Sequence, residues 1–178
     1  MQITCVSAYG PQEKGFSEKK DKFWQYLEED AKRADNEGKG FILQGDLNSW
    51  LGKNIIPNDP RQQNENVTLM EDFVSRNHLT VVNGLYLCKG LITRTIQSKN
   101  TCEKSILDFF VVCGRVLPHV ISMEIDESKQ NILTNYTQVR KGRKAVDSDH
   151  VPMEINLDLR IFPTQQTKVV MYNFKNER

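Results

Sequence analysis

Residues 106–113, Ile106-Leu107-Asp108-Phe109-Phe110-Val111-Val112-Cys113, are apolar almost throughout, yet they carry a carboxylate. A short apolar run of this kind reads as a buried strand. Holding a carboxylate inside it is costly unless that carboxylate is paired. The chain must therefore supply layers to cover the strand and a partner for Asp108.

The neighbouring segments supply candidates for the layers. Residues 2–9 read as a strand ended by Gly10-Pro11. From Ser17, a good N-cap, the residues Phe23, Trp24, Leu27, Ala31 and Ala34 recur at helical spacing, and Gly38 and Gly40 end the helix. Phe41-Ile42-Leu43 is a short buried strand stopping at Gly45. Residues 52–66, rich in Asn, Gln, Pro and Asp, read as a surface loop. Thr68-x-x-Glu71 is a capping-box pattern before Leu69, Met70, Phe73 and Val74 on one helix face. Strands follow at 79–83, 106–113 and 119–126, and in 151–159 apolar residues alternate with polar ones, so that strand has one buried and one wet face. The order of strand, helix, strand, helix and then mostly strands points to an α/β or α+β sandwich rather than a bundle.

Length and composition agree. A chain of 178 residues suits one domain at about 150 residues per domain. With 38% hydrophobic and 26% charged residues it is neither disordered nor collagen-like. No apolar run approaches the ~18 residues a membrane helix needs, so no membrane partner is expected. The N-terminus lacks the basic region of a signal peptide. Cys5, Cys88, Cys102 and Cys113 form no C-x-x-C pair, and they read as reduced thiols of an intracellular protein, nuclear or cytoplasmic. Positive and negative charges nearly cancel. The densest basic cluster, Arg140-Lys141-Gly142-Arg143-Lys144, taken alone is a solvated loop.

Three segments place polar residues where strands end or where burial is costly. Gly45-Asp46-Leu47-Asn48 puts Asp46 and Asn48 two apart, on one side of an extended chain. Asp108 sits inside its apolar run. Ser148-Asp149-His150 precedes the amphipathic strand. Each alone suits a turn or a structural hydrogen bond. Together they are a parts list for metal-assisted phosphodiester hydrolysis. Carboxylates hold Mg²⁺ or Mn²⁺, an imidazolium or amide donates to phosphoryl oxygens, and a further carboxylate orients or deprotonates water.

Gly45-Asp46-Leu47-Asn48, Leu107-Asp108-Phe109 and Ser148-Asp149-His150-x-Pro152, with Ser7-Ala8-Tyr9-Gly10-Pro11 ahead of them, resemble the endonuclease/exonuclease/phosphatase superfamily. The resemblance spans about residues 3 to 159. Within the superfamily, Leu91-Ile92-Thr93-Arg94, Ser105-Ile106-Leu107-Asp108 and the tail Tyr172-Asn173-Phe174-Lys175 look most like the endonuclease domains of non-LTR (LINE-type) retrotransposons. The resemblance implies a DNase-I-like four-layer α/β sandwich over residues 1–160, with 161–178 a tail or linker.

It also implies roles. Asp46 would orient or deprotonate the water, and Asn48 would hold the scissile phosphate. His150 would contact a phosphate oxygen with Asp108 on its far nitrogen. Asp149 would lie on the metal side, and the Tyr9 hydroxyl would support the phosphate. Thr93, Arg94, Arg140, Lys141, Arg143 and Lys144 would contact DNA. The family's earlier Asn and its principal metal-binding Glu have no counterpart here, because Tyr9 lies nine residues from the start and Glu13 and Glu18 follow the strand. The implied fold is incomplete at its N-terminus, and a preceding segment or a partner chain would complete the sheet. The implied function is Mg²⁺-dependent DNA endonuclease. The alternatives are an inactive remnant that binds nucleic acid or protein, and a phosphatase or an RNA or lipid phosphodiesterase of the same superfamily.

Overall fold

The buried run around Phe109 is an inner strand of a five-stranded sheet. The structure, a computed structural model, describes residues 1–12, 17–51, 64–98, 100–129, 148–158, 160 and 169–173. In chain order the elements are β1 (Ile3–Tyr9), α1 (Ser17–Asn36), β2 (Gly40–Asp46), α2 (Glu65–Arg76), β3 (Leu79–Val81), β4 (Cys88–Lys89), β5 (Arg94–Gln97), β6 (Cys102–Ser105), β7 (Asp108–Cys113), β8 (Val120–Ile125), β9 (Met153–Leu157) and β10 (Val169–Asn173).

The main sheet runs β10-β1-β2-β7-β3. Strands β10, β1 and β2 are mutually parallel, and β7 is antiparallel to both β2 and β3. Both faces of this sheet are apolar, as expected of strands covered on two sides. Phe41, Leu43, Phe109 and Val111 point to one face, where Phe23, Trp24 and Leu27 of α1 and Met70 and Phe73 of α2 close the core. Trp24 stands edge-on to Phe23, with ring centroids 5.2 Å apart. Ile42, Phe110 and Val112 point the other way, onto Val120, Met123 and Ile125 of β8. That strand is the centre of a second sheet, β4-β8-β9, and β5 and β6 form a separate hairpin. The described residues thus stack as a helical layer, a sheet and a second sheet.

The stripe expected on α1 is the buried one, and the helix ends in a Schellman arrangement. Gly38 takes φ +65°, the Lys39 N–H donates to the Ala34 carbonyl and the Gly38 N–H to that of Asp35. Helix α2 starts a turn before its capping-box pattern, so Thr68 and Glu71 lie inside the helix. The reason is Asn64, which stands at the N-cap while its side chain holds the preceding loop: its Nδ2 donates to the Asn48 carbonyl and its Oδ1 accepts from the Trp50 N–H. The tail expectation needs correction for residues 169–173, which pair with β1 from Cys5↔Val169 to Tyr9↔Asn173. Most of the loop expected at 52–66, and the basic run Arg140, Lys141, Arg143 and Lys144, lie outside the described residues.

Strand β3 is shorter than its expected 79–83 span because a side chain takes over its pairing. After the Val82 N–H donates to the Phe110 carbonyl, the Asn83 amide continues the ladder. Its Nδ2 donates to the Asp108 carbonyl at 3.0 Å and its Oδ1 accepts from the Phe110 N–H at 3.0 Å. Asn83 is 2% exposed, so truncating it strands two backbone groups away from water. Asn83→Ala is expected to lower unfolding free energy by about 2–4 kcal/mol, measured by urea denaturation.

Candidate active site

Parallel pairing of β1 and β2 brings their C-terminal ends, Tyr9 and Asp46, to one edge of the main sheet. Because β7 runs antiparallel to β2, it begins at that same edge, and Asp46 pairs directly with Asp108. Gly45 makes the approach possible. Its φ is +132°, and a Cβ there would lie 2.0 Å from the Ala8 carbonyl oxygen, so any side chain would push β1 and β2 apart just before Asp46.

A second set of contacts delivers His150. An isolated antiparallel bridge joins Arg94 to His150. The Thr95 N–H donates to the Asp149 carbonyl at 2.8 Å, and the Val151 N–H donates to the Thr93 carbonyl at 2.8 Å. His150 Nδ1 then lies 2.8 Å from Asp108 Oδ2, which gives the carboxylate of the apolar run its partner. His150 Nε2 faces Asp46 Oδ2 at 3.8 Å and Asp149 Oδ1 at 4.0 Å. Arg94 Nε donates to Asp149 Oδ2 at 2.6 Å.

Asn48 sits beside this group at φ +50°. Its backbone N–H donates to Asp46 Oδ1 at 2.9 Å, and its Nδ2 donates to the Gly10 carbonyl at 2.9 Å. Its own carbonyl accepts from Asn66 Nδ2 at 2.9 Å, as it does from Asn64. Side-chain amides thus fix the loop that orients Asp46. Tyr9 is 43% exposed at the end of β1, on the same edge.

Thr93 is placed differently from what the resemblance implies. It is fully buried, and its hydroxyl accepts from the Leu107 N–H at 2.9 Å and the Asp108 N–H at 3.1 Å. Burial keeps it from touching a substrate; it positions the start of β7. Asn83 and Asn66 were not singled out in the sequence, because a buried Asn in a polar loop looks like any other turn former. Arg94 is brought into the cluster, against Asp149.

The electrostatics follow from this crowding. Burial, with the negative charge of Asp108 added, pushes the Asp46 carboxyl up to about 6, against the Asn48 N–H and the positive charges of His150 and Arg94. The hydrogen bond to Asp108 raises His150 above the usual imidazole value; burial opposes it, and the charges of Asp108, Asp46 and Asp149 reinforce it. At Asp149 burial works upward, but the Arg94 hydrogen bond and charge prevail and hold the carboxyl below the usual range.

Among the described residues, no three His, Cys, Asp or Glu side chains are arranged to hold a metal ion. The oxygens on the Nε2 side of His150 come from two carboxylates, Asp46 and Asp149. Carboxylate oxygen is the ligand type that Mg²⁺ takes, one or two at a time, with water and substrate phosphate completing its sphere.

A raised carboxyl pKa is a stability cost at neutral pH. Asp46 ionises near 6 in the fold and near the model-peptide value of about 3.9 when unfolded. Its penalty is therefore absent at low pH, grows from about pH 4 upward and is complete above pH 6. Asp46→Asn keeps an acceptor for the Asn48 N–H and removes the charge. It is expected to stabilise the fold by about 2–3 kcal/mol at pH 7.5 and by less at pH 5, measured by denaturation at both pH values.

No family model matches the sequence, and no curated protein resembles it significantly. Solved structures do. The endonuclease domain of TRAS1, a telomere-specific non-LTR retrotransposon, superposes with a TM-score of 0.50 at 17% identity, over 76% of this chain and 52% of its own. The 3′-5′ exonuclease NExo from Neisseria meningitidis superposes with a TM-score of 0.55 at 13% identity, over 79% of this chain and 54% of its own. A further structure, the 3′ phosphatase NExo from Neisseria bound to product DNA hairpin, gives 0.54 at 14% identity, over 79% and 54%. This chain spans about half the length of each. With its helical layer on one sheet, its second sheet behind, and a carboxylate–imidazole cluster at the strand ends, the chain carries a DNase-I-like fold.

Proposed function

We propose that this chain binds DNA and hydrolyses its phosphodiesters, as the endonuclease part of a retrotransposon-type protein. The observation that carries the reading is the hydrogen bond of His150 to Asp108 beside a second, buried carboxylate, Asp46. At neutral pH His150 is held towards its protonated form, and Asp108 fixes which face of the ring is outward. Its Nε2–H then donates to a phosphoryl oxygen. Asp46, largely ionised at pH 7, accepts a proton from the attacking water. Asn48, its amide plane set by Gly10, and Tyr9 at the exposed rim steady the phosphate. Asp149 would hold the Mg²⁺ or Mn²⁺ ion that arrives with the ester. That ion would screen phosphate charge and stabilise the leaving oxygen. Arg94 and the run Arg140, Lys141, Arg143 and Lys144 would meet the DNA backbone, and binding should weaken steeply with salt.

The likeness to nuclease structures supports a phosphodiester substrate, and the DNA-bound Neisseria structure supports DNA as the polymer. A second reading, an inactive module that binds nucleic acid, is favoured by the lack of a third metal donor among the described residues.

Nicking of supercoiled plasmid separates the two. The chain is expected to nick with Mg²⁺ or Mn²⁺ and not with EDTA, and His150→Ala is expected to slow nicking by about 10²-fold or more. Folded protein that binds DNA without nicking supports the binding module instead.

The rate should also be bell-shaped in pH. Asp46 must be ionised, so the acid limb falls below about 6. His150 must be protonated, so the alkaline limb falls above the ordinary imidazole value of about 6.5. A flat profile between pH 5 and 9 would remove both residues from the reacting pair.

A further inference from the structure

Helix α2 opens with two asparagines, Asn64 at its N-cap and Asn66 in its first turn. Both reach the rim where Tyr9, Asp46 and Asn48 gather, and they do different things there. Asn64 touches only the loop that follows β2. Its Nδ2 donates to the Asn48 carbonyl at 2.9 Å, and its Oδ1 accepts from the Trp50 N–H at 3.0 Å. Asn66 touches two loops. Its Nδ2 donates to the Asn48 carbonyl at 2.9 Å and to the Pro11 carbonyl at 3.0 Å, so both hydrogens of one nitrogen are spent on segments that follow different strands.

This use of the side chain is one-sided. Asn66 is 1% exposed, and its Oδ1, buried with it, has no hydrogen-bond partner among the described residues. Leaving a buried acceptor unpaired costs free energy. Turning the amide over would cost more, because it would set Oδ1 against two carbonyl oxygens. The side chain is thus placed for its two donors, and among uncharged side chains only an amide nitrogen carries two hydrogens.

What those donors join is the rim of the site. On the first loop, Pro11 lies two residues after Tyr9, and the Gly10 N–H donates to the Asp46 carbonyl at 2.7 Å. On the second, Asn48 Nδ2 donates to the Gly10 carbonyl at 2.9 Å. Asn66 ties this pair of loops to α2, whose Val67, Met70 and Phe73 are set in the core. A polar rim is thereby anchored to an element that cannot shift without disturbing close apolar packing.

We propose that Asn66 is a positioning residue of the candidate site. It locks the loop after β1 to the loop after β2 and so fixes the spacing of Tyr9 and Asn48, which then meet the same phosphate. Being buried, Asn66 reaches no substrate itself. The role rests on the phosphodiester reading above; the lock between the loops does not.

Two measurements on Asn66→Ala and Asn64→Ala test it. Amide hydrogen exchange needs no DNA. In Asn66→Ala the Gly10 and Asn48 N–H groups are expected to exchange about tenfold faster, with Leu43 and Val111 in the main sheet unchanged, whereas Asn64→Ala frees Trp50 and leaves Gly10 as it was. In plasmid nicking, Asn66→Ala is expected to lower kcat about tenfold or more while KM for DNA stays within about twofold. An asparagine that served stability alone would leave kcat per folded molecule unchanged. Asn66→Ser keeps one donor, should recover part of both effects, and carries the same comparison where the alanine variant does not fold. Parental exchange at Gly10 and Asn48 in Asn66→Ala overturns the lock and the role with it. Loosened loops with parental kcat overturn the role alone. A folded parent chain that does not nick removes the phosphodiester reading and the role together, while the exchange rates still report on the lock.

Discussion

The site depends on one pairing, the antiparallel register that sets Asp46 opposite Asp108. Two carboxylates on adjacent strands at a buried sheet edge repel each other, and the rest of the cluster answers that repulsion. His150 bonds one of them and faces the other. Arg94 neutralises the third carboxylate, Asp149, which would otherwise add to the negative charge. The Asn48 N–H caps Asp46. Burial, with this repulsion added, raises the Asp46 carboxyl to about 6.

Much of this was legible in the sequence, and for identifiable reasons. Apolar runs and helical periodicity reported α1, β1, β2, β7, β8 and β9 because burial dictates residue type directly. Asp108 betrayed its pairing because a carboxylate inside ILDFFVVC has few tolerable explanations. What stayed hidden is held by contacts that leave no periodic trace. The β5–β6 hairpin is mostly polar, and only its β6 strand is largely exposed, so alternation says little about it. Strand β10 is short and far from β1 in sequence. The task of Thr93, receiving two backbone N–H groups, is invisible without the fold. Asn83 and Asn66 serve in place of ladder partners, and nothing in a list of residues separates such an Asn from a turn former.

The three layers explain why the polar cluster sits at the strand ends and not within the layers. Both faces of the main sheet are occupied by apolar packing, which leaves the strand ends as the place where charged side chains emerge half-solvated. There Gly45 removes the one side chain that would hold β1 away from β2. Gly10 does the same a step further on, where a Cβ would lie 2.5 Å from the Leu47 carbonyl oxygen. Close backbone approach at these two glycines packs Tyr9, Asp46 and Asn48 into one short rim.

The bridge between Arg94 and His150 also couples the site to the order in which the chain can fold. Arg94 and Asp149 are 55 residues apart, and His150 and Asp108 are 42 apart. Closing such long loops costs entropy before any contact rewards it, and non-local contacts of this kind form slowly. The helices and the apolar strands can collapse without them. A nascent or partly folded chain would therefore own a core well before it owned the contact between His150 and Asp108, so the candidate site is among the last parts of the fold to assemble.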